Sequence, residues 1–185
     1  LNTIEEFAQL AGKDMDTALK LFEYPDFVQA PFMKQTVIRN LYDGLKGRGN
    51  RQNVMEEFLT AAGAKEPVQL LVDEKERVYP AVEGVMEDRI LLSKSTWGYI
   101  QVELKAEEPF IRLEKTQITA NDFSGGKAEI CYQIDPRYMH YGRNYCRILL
   151  SAGSSHRTIP VTAVLSEVSE MAPGTPLIYK EGMGR

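Results

Sequence analysis

Histidine, tryptophan and cysteine are scarce in this chain of 185 residues: two His, one Trp and two Cys. The four potential zinc ligands, Cys131, Cys146, His140 and His156, lack the short paired spacing of a metal site, so no metal and no cofactor is expected. No run approaches the roughly 18 uninterrupted apolar residues of a membrane span, because Arg, Glu or Pro interrupts each candidate within a few positions. The N-terminus lacks the basic, apolar, small-residue order of a secretory signal. It begins at Leu1 instead of Met, the pattern of a trimmed or processed fragment of a longer protein. Net charge is only −4, with 7 Lys and Arg against 9 Asp and Glu up to Gly63 and 15 against 17 beyond it. That even distribution argues against a basic nucleic-acid arm or an acidic tail. What remains, 43% apolar and 26% charged residues, is the composition of a folded chain long enough for one large or two small domains.

The two cysteines are read as unpaired. In the alternation Ala128, Ile130, Tyr132, Ile134, Cys131 falls on the wetter side. Cys146 shares parity with Ile148 and Leu150 and falls on the core side. Thiols aimed at opposite faces of a sheet do not reach bonding distance, which inclines the reading to a reducing, cytoplasmic compartment.

The first third carries helical periodicity. Thr3 and Glu6 have capping-box spacing, with Ile4, Phe7, Ala8 and Ala11 on one face before Gly12 ends the turn. Asp14 caps a second helix carrying Met15, Ala18, Leu19 and Phe22, stopped at Tyr24-Pro25. After a Pro-punctuated link, a third helix turns Val37, Ile38, Leu41 and Leu45 inward. Asn50 then caps a fourth, with Val54, Phe58, Leu59 and Ala62 inward before Gly63. Four short helices predict a small bundle over residues 1–63.

Beyond Ala64 the period changes from 3.6 to 2. Candidate strands are Val68–Val72, Val78–Val82, Arg89–Leu92, Ile100–Leu104, Phe110–Leu113, the Ile118 region, Ala128–Ile134, Tyr145–Leu150 and Ile159–Leu165. Turn residues separate these nine candidates, of which up to eight are expected to form strands. One wet face and no intervening helices predict antiparallel sheets packed as a sandwich over 64–168. The fold class is therefore α + β in separate segments, a helical bundle followed by a β-sandwich. Rising Pro and Gly content suggests an extended tail over 169–185.

The run from His140 to Ser151, followed by Thr158-Ile159-Pro160-Val161-Thr162-Ala163-Val164, resembles the closing hairpin of bacterial immunoglobulin-like modules. Trp97-Gly98-Tyr99-Ile100-Gln101-Val102 is similar to an inner strand of such domains. The resemblance covers about residues 78–168 and implies an immunoglobulin-like sandwich. Modules of this kind serve as spacers or binding units in large, uncharacterised proteins of Gram-positive bacteria. No cysteine pair spans the sheets as in antibody domains, and residues 1–63 have no match.

Catalytic motifs are missing. Gly44 to Gly49 is followed by Asn50-Arg51 in place of the Lys-Ser/Thr of a phosphate loop. Ser154-Ser155-His156 puts hydroxyls beside an imidazole without a third group to orient it. One asymmetry stands out: between Pro136 and Ser166 there is no acidic residue, while Arg137, Arg143, Arg147 and Arg157 are present. Tyr138, His140, Tyr141 and Tyr145 are interleaved with the first three, and Tyr with Arg are the types enriched at binding hot spots. The candidate binding residues are Arg137, Tyr138, His140, Tyr141, Arg143, Arg147 and Trp97. The expectation is a non-catalytic interaction or spacer module of a larger protein. Its partner is a protein or neighbouring domains of the same chain, and carbohydrate binding through exposed aromatics is the alternative.

Overall fold

The computed structural model describes residues 2–73 and 75–166; the expected tail over 169–185 lies outside them. The helices come first: α1 (Ile4–Lys13), α2 (Met15–Glu23), α3 (Thr36–Leu45) and α4 (Arg51–Ala61). Thr3 accepts the Glu6 backbone N–H while the Glu6 carboxylate accepts that of Thr3, completing the capping box. Asp14 closes α1 and opens α2, its carboxylate accepting the Thr17 N–H at 3.1 Å. Asn50 caps α4 in the same way. Pro25 and Pro31 each start a short 3-10 turn between α2 and α3, where the missing N–H costs nothing.

These elements enclose an aromatic core. Phe7 and Phe27 lie 4.9 Å apart between ring centroids, and Phe22 meets Tyr42 edge-on at 5.2 Å. The buried Tyr42 hydroxyl donates to the Phe22 carbonyl at 2.9 Å, so the ring enters the core with its polar tip satisfied. Tyr42 corrects the expected inward face of α3. Ile38, Leu41, Tyr42 and Leu45 hold the stripe, whereas Val37 is 72% exposed because it sits about one 100° step off Ile38.

Nine strands follow: β1 (Leu70–Val72), β2 (Arg77–Val82), β3 (Met86–Lys94), β4 (Val102–Ala106), β5 (Ile111–Leu113), β6 (Gln117–Ile118), β7 (Lys127–Ile134), β8 (Gly142–Ala152) and β9 (Ser155–Leu165). Among the described residues all nine candidates thus form, one more than the eight expected. One sheet has the order β1-β3-β7-β5, the other β2-β9-β8-β4-β6. Every pairing is antiparallel except β2 with β9, which run parallel. Alternate residues of β7 (Ala128, Ile130, Tyr132, Ile134) and β8 (Cys146, Ile148, Leu150) are buried, as the period-2 pattern requires of a sandwich.

Among the described residues, 2–69 and 95–99 form one compact unit, and 70–73, 75–94 and 100–166 the other. The connection from β3 to β4 is therefore part of the helical unit. This corrects the reading of Trp97-Gly98-Tyr99 as an inner strand: β4 starts only at Val102. Gly98 has φ +143°, and a Cβ there would lie 2.8 and 2.9 Å from the two carboxylate oxygens of Glu56. Gly12 likewise does not end α1; it lies within the helix, where a Cβ would come within 2.9 Å of the Trp97 indole nitrogen.

Candidate interaction surface

The acid-free stretch enters β8 through a turn whose backbone is fixed at two points. Asp135-Pro136 starts a 3-10 turn over Pro136–Tyr138, and the Asp135 carboxylate accepts the Arg137 N–H at 3.0 Å. The Arg137 guanidinium clasps the same carboxylate, with Nε to Oδ1 at 3.0 Å and Nη2 to Oδ2 at 2.7 Å; Arg112 adds Nη1 at 3.8 Å. Asp135 is 1% exposed, so this ion pair is its means of staying charged out of water. The Arg137 side chain holds the Asp135 carboxyl below its ordinary value despite burial, with the Arg137 N–H helping. Arg137 is thus an anchor, its guanidinium 6.0 Å from the Tyr138 ring centroid.

The second fixed point is Asn144, buried on the inner face of β8. Its amide nitrogen donates to the carbonyls of His140 at 2.8 Å and Gly142 at 3.1 Å. Its oxygen then has to accept, and does so from the His140 N–H and from His140 Nδ1, both at 3.0 Å. With the Asn144 oxygen as acceptor, His140 Nδ1 is the donor of that contact. Asn144 and Asp135 do not stand out in the sequence. Asn144 occupies a core position in the alternation, and Asp-Pro reads only as a turn.

From this base the outward face of β8 and the residue before it present Tyr141, Arg143, Tyr145 and Arg147 in alternation with buried Gly142, Asn144 and Cys146. Tyr141 is 41% and Tyr145 64% exposed. Across the sheet Tyr145 stands beside Thr162 of β9, which stands beside Val78 of β2, itself 55% exposed. Arg147 is paired with Glu107, Nε to Oε1 at 2.5 Å and Nη2 to Oε2 at 2.8 Å; that hydrogen bond lowers the Glu107 carboxyl and raises the guanidinium. Arg157 donates to the His156 carbonyl at 2.9 Å. Arg143 makes no ion pair among the described residues. A shallow groove of about 470 Å³ runs beside this row, bounded by Glu107, Glu108, Tyr145, Arg147, Pro160 and Thr162.

The structure therefore brings six of the seven candidate residues onto one strand and its entering turn. Trp97 is the exception and belongs to the helical unit. Its indole packs on that unit's core and against Gly12, and Lys65 Nζ lies 4.6 Å from its ring centroid. Trp97 is therefore an anchor of the 95–99 segment and not a platform on the sandwich.

Cys131 is half-buried on the outer face of the first sheet and Cys146 is buried; both are free. Burial pushes the Cys131 thiol up, and Glu114 and Glu129 add to that; burial does the same for Cys146. Among the described residues no group of three or more His, Cys, Asp or Glu is placed to hold a metal ion. No described helix is long and apolar enough to cross a membrane. Inside the sandwich the Tyr79 hydroxyl contacts that of Tyr132 and donates to Asp88 at 2.6 Å, and Arg77 reaches the same Asp88 oxygen at 2.6 Å. Burial opposes ionisation of Asp88, but Tyr79, the Arg89 N–H and Arg77 together hold its carboxyl low. Burial and the bond to Asp88 push the Tyr79 hydroxyl far up. This network joins β2 to β3 and β7.

The model of the family of unknown function DUF5717, N-terminal, matches residues 1–174. The chain belongs to this family. The match takes in residues 1–63 together with the strands, so the helices, which had no match in the sequence, are part of the DUF5717 N-terminal region. No curated protein matches the chain significantly. Among solved structures it is similar to a protein of unknown function from Porphyromonas gingivalis W83 (16% identity, TM-score 0.45, 53% of this chain, 47% of that one). It is also similar to the ASH/PapD-like domain 7 of human CEP192 (10% identity, TM-score 0.43, 55% and 89% of the chains). A third is WR4, a C. elegans MSP family member (11% identity, TM-score 0.41, 52% and 98%). The chain spans less than half the length of the P. gingivalis protein.

Proposed function

We propose that this DUF5717 N-terminal region is a non-catalytic interaction or spacer module of a larger protein, of the Gram-positive bacterial kind that the sequence resemblance implies. The observation that carries the reading is the row Tyr141, Arg143 and Tyr145, exposed on a backbone pinned by Asp135 and Asn144. Rigid aromatic area beside a guanidinium is the composition of a binding hot spot, and a pinned backbone lowers the ordering cost of association. The partner is a protein segment, either another chain or a neighbouring domain. Carbohydrate binding has narrower support, since of the ring platforms expected for it Trp97 belongs to the helical unit, which leaves Tyr138 and Tyr141.

The test is twofold. Hydrolase, transferase and phosphatase substrates are screened on the purified chain, and turnover abolished by one polar substitution overturns the non-catalytic reading. Purified neighbouring segments of the full-length protein are then titrated against the chain and against Tyr145→Ala. Binding weakened at least tenfold by that substitution is expected; equal binding removes the β8 surface from the proposal.

A further inference from the structure

Resting on that reading, we infer that the outward row of β8 receives an extended acidic protein segment, one carboxylate on Arg143 and an apolar neighbour on Tyr145. Of the four arginines in the stretch without acidic residues, Arg137 is held by Asp135, Arg147 by Glu107, and Arg157 by a carbonyl. Arg143 alone has no internal acceptor among the described residues; the exposed Tyr145 follows it on the same face of β8, and the exposed Tyr141 lies just before the strand. A guanidinium in that setting takes a carboxylate through two parallel N–H donors.

The geometry favours a peptide over a nucleic acid. Arg143 and Tyr145 stand two residues apart on β8, about 7 Å, which is the side-chain repeat of an extended partner strand. A nucleic acid draws its affinity from several phosphates at once, and the row offers one uncommitted guanidinium. Thr162 and Val78 continue the surface away from Tyr145 as an uncharged shelf for an apolar side chain. Beside Arg147 the groove carries two carboxylates, Glu107 and Glu108, against one guanidinium, so an acid of the segment is better placed on Arg143.

The experiment uses the full chain on an array of capped peptides of about twelve residues. They are made in matched sets that differ only in Glu or Gln at a central position flanked by apolar residues. The Glu set is expected to retain the chain at least tenfold better than the Gln set. Arg143→Gln should erase that preference, Arg157→Gln should leave it intact, and salt should weaken the Glu set selectively. Equal retention of the two sets, or a Glu preference that survives Arg143→Gln, overturns the acidic assignment. If Tyr145→Ala still abolishes retention in that case, the module reading stands without it. No retention of either set by the folded chain also overturns the assignment, as does displacement of bound peptide by single-stranded DNA at physiological salt.

Discussion

The carboxylate of Glu56, in the middle of α4, accepts the backbone N–H of Tyr99, 43 residues further along the chain. Glu56 is one of only three buried polar or charged residues among those described, with Asp135 and Asn144, and each fastens a length of irregular backbone. The segment 95–99 lies outside the strands, so its N–H groups need acceptors other than a regular ladder, and a buried carboxylate beside Gly98 supplies one.

Replacing Glu56 with Ala should therefore cost about 2 kcal/mol of stability, the cost of stranding a buried donor. Glu56→Gln keeps an acceptor oxygen at similar length and should lose less than half of that. Urea unfolding of the three proteins checks both. A change for Glu56→Ala within the error of the extrapolation removes the anchoring role.

Two glycines should respond in opposite directions. At Gly98 a methyl group would meet the Glu56 oxygens at under 3 Å on a backbone with φ +143°, so Gly98→Ala should cost more than about 2 kcal/mol. Gly44 lies exposed in α3 with nothing within 4 Å of a built Cβ. Gly44→Ala should add about 0.5–1 kcal/mol by helix propensity. Melting temperatures of the two variants moving in the same direction would contradict the assigned backbone.

The same contrast explains what could be read in advance. Caps and periodicities are local, so Thr3 with Glu6, Asp14, Asn50 and the alternation of β8 were all legible in order along the chain. Trp97-Gly98-Tyr99 satisfied a period of two by composition alone, while the partners that decide its conformation, Glu56 and Gly12, lie far away in sequence. The parallel pairing of β2 with β9 is likewise invisible to periodicity, which sets faces and not neighbours. In the candidate surface the exposed Tyr and Arg were legible as a compositional bias. The division between Arg137 and Arg147, held by Asp135 and Glu107, and Arg143, which is not, required the register.

Asp135 should govern part of the acid limb of stability. Its folded carboxyl is held below the unfolded value, so its contribution is fully present above about pH 4 and is lost as pH falls through the folded value. Asp135→Asn should therefore destabilise the chain at pH 7 and make progressively less difference below about pH 4. Guanidinium unfolding at pH 7 and pH 3 measures the two gaps. A gap that stays constant or widens toward acid assigns the role of Asp135 to hydrogen bonding of the neutral amide kind, without a charge component.

The two thiols offer the last test, one that reports burial and pairing together. Burial raises both above the ordinary cysteine value, and Glu114 and Glu129 raise Cys131 further, so little thiolate is present at pH 7.5. Native alkylation by iodoacetamide should be slow at both, with Cys131 reacting first because it is half-exposed and Cys146 is buried. In denaturant both should react at the rate of a free peptide thiol. Since neither is bonded, a reductant should leave the melting temperature unchanged. A reductant-dependent melt, or Cys146 labelled ahead of Cys131 in the native chain, would mean that β7 and β8 do not present these residues on the faces described.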